Sequence, residues 1–410
     1  MEYGLLGRTL KHSFSKTIHE MLAPYSYELK ELEPDKIGEF LLAKNFRALN
    51  VTIPYKQTVI PYLDEIDESA LSIGAVNTIV NKSGKLFGYN TDYFGMCDLI
   101  LKIGVDLTDK KALILGTGGT SKTAEAVLTS LGAKEIIKVS RREGLGAVSY
   151  ENAIKYHGNA NFIVNTTPLG TYPDVKGVAI DLGKFTNLEG VTDAVYNPLR
   201  SQLILDAQSL GIKAEGGLYM LVAQAVYASE KFHSTQYKDG TVDEIFAKVR
   251  KQKRNIVLVG MPASGKSTIG KKLTEYGYEF VDTDLLIEEK IGKKCGEIIL
   301  ENGIEFFRKV ESEVINGLVF CNGKVIATGG GAVLNNDNVT TLKRNGYIYY
   351  LNANLDRLTA TDDRPLSNNK EKLIALYNER KDIYLSCADV VIDDDTIENE
   401  IAQILTGEEK

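Results

Sequence analysis

The stretch NIVLVGMPASGKST, residues 255–268, decides the fold of the second half of the chain. A short apolar run ends at a glycine, and the spacing that follows is G-x-x-x-x-G-K-S. In such a loop the backbone N–H groups point at phosphate oxygens, the lysine reaches the β and γ phosphates, and the serine hydroxyl binds Mg²⁺. The pattern predicts a P-loop for ATP and Mg²⁺ between a buried strand and a helix. Its residues are Gly260, Ala263, Ser264, Gly265, Lys266, Ser267 and Thr268.

A second glycine loop, LGTGGTS at 115–121, follows another apolar run in the first half of the chain. Its glycines stand between a predicted strand and a helical pattern, an arrangement that places a pyrophosphate on a helix N-terminus. The next predicted strand ends in two arginines, where dinucleotide sites usually carry an acid for the ribose 2′-hydroxyl. Arginines suit a 2′-phosphate, so the pattern favours NADP(H). The residues assigned to this dinucleotide are Gly116, Gly118, Gly119, Ser140, Arg141 and Arg142.

Short apolar runs, bounded by glycine or polar residues, alternate with amphipathic stretches along the chain. Such runs are typical of buried parallel strands, and the helical patterns between them indicate βαβ units. The predicted fold class is α/β: a two-lobed first half with a Rossmann-like NADP lobe, followed by a P-loop domain with a parallel sheet. The predicted strands include KALILG (111–116), EIIKVS (135–140), NFIVN (161–165), NIVLVG (255–260), KVIATGGG (324–331) and YIYYL (347–351).

Length, charge and cysteine usage narrow the class of protein. A chain of 410 residues is long enough for two or three domains. The net charge of −7 gives no indication of the basic surface that binds nucleic acid. No apolar run approaches the ~20 residues of a membrane span. Scattered cysteines and an N-terminus without a signal-peptide core indicate a cytoplasmic protein. The expected partners are small molecules, and the sequence does not determine the oligomeric state.

The polar, charged stretch at 233–254 is the predicted boundary between the two halves. It ends in the basic run Lys251-Gln-Lys-Arg254, and a new strand begins directly after it. We expect a solvated linker at 241–253, between a first domain at 1–240 and a P-loop domain at 254–410. Within the first domain, residues 1–100 and 216–240 form the expected substrate lobe, and residues 101–215 form the NADP lobe.

A series of polar clusters in the first half resembles shikimate dehydrogenase over about residues 1–235. In order, the clusters are KHSFSKTIHE (11–20), LNVTIPYKQ (49–57), GAVNTIV (74–80), GYNTDYFG (88–95), NTTPLG (165–170), DAVYNPLRS (193–201) and GGLYMLVAQA (216–225). The resemblance implies that Lys56 is the general acid/base at the reacting oxygen and that Asp92 is its partner. It implies that Gly217 and Met220 flank the nicotinamide. The implied substrate ligands are Ser13, Ser15, Thr52, Asn77, Asp92 and Gln224.

The P-loop half contains a second ordered series, which resembles shikimate kinase over about residues 254–410. The series is FVDTD (280–284), GIEFFRKVES (303–312), ATGGGAV (327–333), DDRPLS (362–367) and YNERKDIY (377–384). The resemblance implies that Asp284 binds and orients the acceptor hydroxyls, and that Asp282 binds Mg²⁺ through water. Arg364 would arrive with a closing lid and neutralise charge in the transition state. The implied substrate ligands are Asp284, Arg308, Gly330 and Arg380, in which the arginines clamp a carboxylate.

Together the two resemblances imply a bifunctional enzyme of aromatic amino-acid biosynthesis. NADPH would reduce 3-dehydroshikimate to shikimate in the first half, and ATP with Mg²⁺ would phosphorylate shikimate at its 3-hydroxyl in the second. Three alternatives stay open on the sequence. The first half could oxidise quinate with NAD, one half could be inactive and serve as a sensor or scaffold, and the second half could phosphorylate another small molecule or a nucleotide.

Overall fold

The computed structural model describes residues 1–10, 13–142, 144, 146–355, 358, 366, 368–393 and 396–407. The chain divides into two compact units, Met1–Val249 and Arg250–Lys410. Across the described ranges, no helix combines the length and the apolar character needed to cross a membrane. The six apolar runs named above all form strands of parallel sheets, as predicted, and the α/β fold class is confirmed.

The first lobe of unit 1 is built on a six-stranded mixed sheet of order β2-β1-β3-β5-β6-β4. The pairs β1–β2, β1–β3 and β4–β6 are parallel, whereas β5 is antiparallel to both β3 and β6. The strands are β1 Tyr3–Gly7, β2 Tyr27–Glu31, β3 Ala48–Val51, β4 Glu65–Ile66, β5 Thr78–Lys82 and β6 Lys85–Tyr89. The helices are α1 Ser15–Leu22, α2 Ile37–Ala43, α3 Glu68–Ile73 and α4 Asp92–Lys102.

The second lobe of unit 1 is a six-stranded parallel sheet of order β12-β11-β10-β7-β8-β9. Parallel pairing brings the carboxyl ends of these strands to one edge, where open α/β sheets bind ligands. The strands are β7 Lys111–Leu115, β8 Glu135–Val139, β9 Ala147–Val148, β10 Phe162–Asn165, β11 Gly190–Asp193 and β12 Lys213–Glu215. The helices are α5 Gly119–Ser130, α6 Tyr150–His157 and α7 Gln202–Ser209.

Two helices follow the second lobe: α8 Leu218–His233 and α9 Thr241–Lys253, of which residues 241–249 belong to unit 1. The long helix α8 is almost wholly buried and packs against α1 and α4 of the first lobe. It therefore returns the chain from the second lobe to the first.

Unit 2 is a five-stranded parallel sheet of order β14-β15-β13-β16-β17. The P-loop follows its central strand β13, so the loop lies at the carboxyl edge of the sheet. The strands are β13 Asn255–Val259, β14 Glu279–Asp282, β15 Lys324–Ala327, β16 Gly346–Leu351 and β17 Val390–Ile392. The helices are α10 Lys266–Leu273, α11 Thr283–Ile291, α12 Cys295–Asn302, α13 Ile304–Gly317, α14 Asn336–Asn345, α15 Lys370–Cys387 and α16 Ile397–Gly407.

The expected solvated linker at 241–253 is wrong, because these residues form the helix α9. Its side chains Ile245, Phe246 and Val249 are buried in the core of unit 1. They repeat at the spacing of one helical face, with acids in the first turn and bases in the last, which complements the helix dipole. The many charges of this stretch suggested a linker, but its apolar stripe determines the structure.

We predict that Phe246→Ala lowers the unfolding free energy of unit 1 by about 3 kcal/mol, because it removes a buried ring. That ring packs edge-on against Tyr219, with ring centroids 5.0 Å apart. The control Lys248→Ala removes an exposed lysine that pairs with Glu244 on the same helix, and it should cost at most about 0.5 kcal/mol. Calorimetry of the full chain measures both, with hydrogen exchange in α4 and α8 to assign the transition. Equal effects of the two variants would contradict the packing of α9.

Candidate active sites

One cavity of about 300 Å³ lies in unit 1 and gathers residues from both lobes. The first lobe contributes residues from the segment before α1, from β3 and the turn after it, and from the start of α4. The second lobe and α8 contribute the opposite wall. Of the residues predicted from the sequence, Ser13, Ser15, Thr52, Lys56, Asn77, Asp92, Gly217, Met220 and Gln224 line this cavity.

The charged pair in this cavity is Lys56 with Asp92. The Lys56 Nζ lies 2.5 Å from the Asp92 Oδ2, and the two side chains are 22% and 13% exposed. Asp92 is the first residue of helix α4. A carboxylate at a helix N-terminus is stabilised by the helix dipole, so Asp92 is a well-supported anchor for the ammonium group.

The polar residues around this pair are held by hydrogen bonds to one another. The Asn77 side chain donates to Thr91 Oγ1 at 3.0 Å and accepts from the Thr91 backbone N–H at 2.7 Å. It also lies 3.4 Å from the Gln224 Oε1 on α8. These hydrogen bonds hold the side-chain orientations of this part of the wall. Ser15 is the first residue of α1 and Ser13 lies just before that helix, and both serines line the cavity.

Asn50 and Tyr196 also line the cavity and were not predicted from the sequence. Asn50 is buried on β3, accepts from the Tyr27 hydroxyl at 2.7 Å and donates to Thr78 Oγ1 at 3.1 Å. Its position two residues before Thr52 on a strand could have identified it, because alternate residues share a face. Tyr196 lies in the quoted cluster DAVYNPLRS, but no local pattern distinguishes it from its neighbours.

The glycine loop of the second lobe has the geometry that a dinucleotide requires. Gly116 has φ of +111°, and a Cβ there would lie 2.8 Å from the Thr166 hydroxyl oxygen. The next two glycines have no atom within 4 Å of a Cβ position, so the space before α5 is open. Arg141 and Arg142 are exposed just after β8. The loop, the helix N-terminus and these cations fit the phosphates of NADP(H).

A second cavity, of about 290 Å³, lies at the carboxyl edge of the sheet in unit 2. It is lined by the P-loop, by the ends of β14 and β15, and by helices α12, α13 and α15. The predicted residues at its wall are Ala263, Ser264, Gly265, Lys266, Ser267, Thr268, Asp282, Asp284, Arg308, Gly330 and Arg380. Arg364 lies outside the described residues.

The P-loop backbone accepts hydrogen bonds from its own lysine side chain. Lys266 Nζ donates to the Gly260 carbonyl at 2.9 Å and to the Met261 carbonyl at 2.7 Å. Gly260 has φ of +147°, and a Cβ there would lie 2.8 Å from the Leu351 carbonyl oxygen, so a side chain would break the loop.

The Ser267 hydroxyl lies 2.7 Å from Asp282 Oδ2. A hydroxyl beside a carboxylate at a phosphate loop fits Mg²⁺, which takes few protein ligands and keeps several waters. In the described ranges no group of three acidic, histidine or cysteine side chains could hold a metal by itself.

The far wall of this cavity carries two arginines. Arg380 is 5% exposed and donates to the Gly330 carbonyl at 3.1 Å, and the Tyr384 hydroxyl donates to the same oxygen. Arg308 Nη1 lies 2.6 Å from Glu311 Oε2, one helical turn away on α13. Guanidinium groups held in this way present a fixed fork to a planar anion.

Glu311 lines the same cavity and was not predicted from the sequence. Its side chain is 1% exposed, and its Oε1 has no hydrogen-bond partner among the described residues. Burial raises the pKa of Glu311, Arg308 lowers it, and the nearby Asp284 raises it. The sequence could have indicated Glu311, because it follows Arg308 by three residues and residues at that spacing share a helix face.

His19 belongs to the core behind the first cavity. It is fully buried, its ring stacks on Tyr27 with centroids 4.1 Å apart, and its Nδ1 lies 2.5 Å from the Tyr25 hydroxyl oxygen. Burial lowers the pKa of His19 to about 3, so the folded state holds it neutral.

We predict that His19→Phe makes unit 1 less sensitive to acid. The unfolded chain binds a proton near pH 6.5, whereas folded His19 binds one only near pH 3. Stability is therefore lost as the pH falls through this window, at about 1.4 kcal/mol per pH unit. The pH dependence of unfolding between pH 6 and 4, measured by calorimetry, should be shallower in the variant by about that slope. Parallel curves for the two proteins would contradict the neutral, buried histidine.

Comparison with known proteins identifies both units. The shikimate dehydrogenase (NADP(+)) of Clostridium beijerinckii is 36% identical in an alignment of 251 residues that covers 57% of this chain and 92% of the relative. The chain belongs to the shikimate dehydrogenase family. The family model for the shikimate dehydrogenase substrate binding domain matches residues 5–79, and the model for shikimate kinase matches residues 262–407. Both resemblances inferred from the sequence are confirmed.

Solved structures agree with the dehydrogenase assignment of unit 1. Shikimate dehydrogenase 1 from Peptoclostridium difficile is 32% identical with a TM-score of 0.56, over 61% of this chain and 98% of that one. The Thermus thermophilus enzyme, solved with NADP(H) and shikimate, is 27% identical with a TM-score of 0.54, over 60% and 99%. A chorismate mutase/shikimate 5-dehydrogenase fusion from Clostridium acetobutylicum is 32% identical with a TM-score of 0.58, over 61% and 97%. The last of these is also a fusion that contains a dehydrogenase.

Proposed function

We propose that this chain catalyses two consecutive reactions at one carbon atom. Unit 1 reduces the C3 carbonyl of 3-dehydroshikimate to give shikimate, and unit 2 phosphorylates the 3-hydroxyl of shikimate. The observation that carries the proposal is that each unit has its own cavity, lined by the residues that its family resemblance assigned. The relatives named shikimate dehydrogenase (NADP(+)) and the shikimate kinase family model support the two activities and the use of NADPH and of ATP with Mg²⁺.

In unit 1, Lys56 acts as the general acid. NADPH supplies the hydride that reaches the carbonyl carbon. The Lys56 ammonium donates a proton to the carbonyl oxygen as negative charge develops there, and water restores the proton afterwards. Asp92, 2.5 Å away, holds the ammonium in place. The uncharged donors and acceptors Ser13, Ser15, Thr52, Asn77 and Gln224 bind the hydroxyls and carboxylate of the substrate.

In unit 2, the chain's own residues position two anions and one hydroxyl. Arg308 and Arg380 bind the carboxylate of shikimate, while Asp284 orients the 3-hydroxyl and accepts its proton. Lys266 and the P-loop N–H groups hold the phosphates of ATP, whose γ-phosphoryl group is transferred. Ser267 and, through water, Asp282 would hold Mg²⁺, which would neutralise phosphate charge when bound. Arg364, outside the described residues, is proposed for the lid.

The four cysteines are all unpaired thiols, which supports a reducing compartment, and we propose the cytoplasm. Quinate with NAD stays the rival substrate pair for unit 1, because a quinate dehydrogenase from Corynebacterium glutamicum in complex with NAD is 26% identical with a TM-score of 0.54. The two exposed arginines after β8 favour NADP(H) over that alternative.

One reaction tests the proposal: the purified chain with 3-dehydroshikimate, NADPH, ATP and Mg²⁺, followed at the nicotinamide absorbance band and by mass spectrometry of the products. We expect loss of NADPH and accumulation of shikimate 3-phosphate. Shikimate that stays unphosphorylated would overturn the kinase assignment, and unchanged NADPH would overturn the dehydrogenase assignment. Parallel reactions with quinate and NAD, and with nucleoside monophosphates as acceptors, test the rival activities.

We predict that the two activities are lost separately. Lys56→Met should lower NADPH-dependent reduction by about 10²–10⁴-fold, because it removes the general acid, and should leave phosphorylation of added shikimate unchanged. Lys266→Ala should do the reverse, because it removes a phosphate ligand. Each reaction is assayed on the full chain with its own substrate. The controls are Lys85→Met, an exposed lysine of β6, and Lys272→Ala, which lies on the same helix as Lys266 and pairs with Glu398. A variant that abolishes both steps while the chain stays folded would contradict separate sites.

We predict that Arg141→Ala and Arg142→Ala each raise the KM for NADPH about tenfold or more and leave the KM for NADH nearly unchanged. The reason is the loss of a charge-assisted contact to the 2′-phosphate, which NADH lacks. Steady-state kinetics with both cofactors measure the effect. Lys184→Ala serves as the control, because it removes an exposed base of the same lobe that pairs only loosely with Asp181, at 3.9 Å. Equal changes for NADPH and NADH would place the 2′-phosphate elsewhere.

A further inference from the structure

A buried carboxylate, Asp193, ties together three segments at the ligand edge of the second lobe. It is the last residue of β11 and is 0% exposed. Its Oδ1 accepts from the Asn165 side-chain amide at 2.8 Å and from the Val195 backbone N–H at 2.9 Å. Its Oδ2 accepts from the Ser201 hydroxyl at 2.5 Å. Asp193 itself does not line the cavity of unit 1.

The segment that follows Asp193 reaches the cavity of unit 1. Ala194 and Tyr196 both line that cavity. The Val195 carbonyl accepts from the Gly217 backbone N–H at 2.9 Å, and a Cβ on Gly217 would collide with the Ala194 carbonyl. Gly217 therefore sits against the backbone that Asp193 holds, directly before helix α8.

The other side of the network holds the turn after β10. Asn165 Oδ1 accepts from the Thr167 backbone N–H at 3.0 Å and from the Thr167 hydroxyl at 2.7 Å. The Asn165 carbonyl accepts from the Ala194 backbone N–H at 2.9 Å. Asn165 therefore holds this turn through its own Oδ1, and Asp193 reaches the turn only through the Asn165 side-chain amide.

We propose that Asp193 is a positioning residue of the dehydrogenase reaction: by holding the backbone of residues 194–196, it places Gly217 and Met220 against the nicotinamide end of the cofactor. This inference rests on the proposed function of unit 1. The residue acts through the backbone and touches neither substrate nor cofactor. The adenosine end of the cofactor binds at the glycine loop and at the arginines after β8, which Asp193 does not contact.

The chemistry of the network explains why this position needs a side chain with two acceptor oxygens. Three donors from three segments converge on it, and a buried donor without an acceptor is strongly unfavourable. Burial raises the pKa of Asp193 to about 6, although the hydrogen bonds from Ser201, Val195 and Asn165 lower it. An asparagine can keep the arrangement, because its amide oxygen replaces Oδ1 and its NH₂ group donates to the Ser201 hydroxyl, which is also able to accept.

The test compares Asp193→Ala with Asp193→Asn in the full chain at pH 8, where the carboxyl group is ionised. Asp193→Ala should lower kcat/KM for NADPH with 3-dehydroshikimate by tenfold or more, since small misplacements of reacting groups reduce rates by about a hundredfold. The dissociation constant of adenosine 2′,5′-bisphosphate, which lacks the nicotinamide half, should stay within twofold of the wild type. Asp193→Asn should recover most of the lost activity.

One control separates positioning from damage to the lobe, and one further variant replaces Asp193→Ala if that variant does not fold. Asp181→Ala removes an exposed carboxylate of the same lobe, which accepts the Gly183 backbone N–H at 3.0 Å, and should leave the kinetics unchanged. If Asp193→Ala does not fold, Ser201→Ala takes its place: it removes one of the three donors and should lower kcat/KM severalfold with unchanged binding of the bisphosphate.

Wild-type kinetics in Asp193→Ala, or in Ser201→Ala where the first variant does not fold, would overturn the positioning role. A parallel loss of affinity for the bisphosphate would overturn it too, because the effect would then extend over the whole lobe. A wild-type chain that does not oxidise NADPH with 3-dehydroshikimate would overturn the proposed function itself. An active wild type beside an equally active Asp193→Ala overturns only this inference.

Discussion

The parallel pairing of strands is the constraint on which both candidate sites depend. In a parallel sheet every strand ends at the same edge, so residues that follow different strands meet there. The glycine loop after β7 lies between the ends of its neighbouring strands β8 and β10, and the P-loop after β13 lies between the ends of β15 and β16. Asp282, at the end of β14, contacts Ser267 just after the P-loop lysine. Residues that are far apart in the chain, such as Lys266 and Asp282, come together because the backbone ladder brings them to one edge.

The mixed sheet of the first lobe serves a different purpose. Its strands β3 and β5 run antiparallel, so the end of β3 lies beside the start of β5. This register puts Asn50 opposite Thr78 and brings the Asn77 carbonyl to the Val51 backbone N–H at 2.7 Å. A wall of uncharged side chains results, with the Lys56–Asp92 pair at its side. The two lobes therefore have complementary roles, because one supplies donors and acceptors for a polyhydroxylated acid and the other supplies a phosphate-binding edge.

Local pattern and family resemblance were sufficient for much of this arrangement. The runs KALILG and NIVLVG became strands, and the first glycine after each of them, Gly116 and Gly260, has a φ that only glycine adopts readily. Contacts between distant segments were not predictable in the same way. The burial of Phe246 depends on α4 and α8, and the roles of Glu311 and Tyr196 depend on the cavities that surround them. A single sequence shows periodicity and spacing, but it does not show which helix and strand faces pack against each other.

The two cavities differ in charge in the way that the two reactions require. Hydride transfer to a carbonyl adds one negative charge, on a single oxygen, and a single ammonium beside a carboxylate is enough to neutralise it. Phosphoryl transfer brings several phosphate oxygens beside a substrate carboxylate, so the kinase cavity carries Lys266, Arg308 and Arg380. These cations are compatible with one another because Asp282, Asp284 and Glu311 lie among them. The two cavities therefore present different groups to the same carbon: the Lys56–Asp92 pair in one, and phosphate-binding and carboxylate-binding cations in the other. The two reactions at one carbon therefore use two sites, one between the two lobes of unit 1 and one at the edge of the sheet of unit 2.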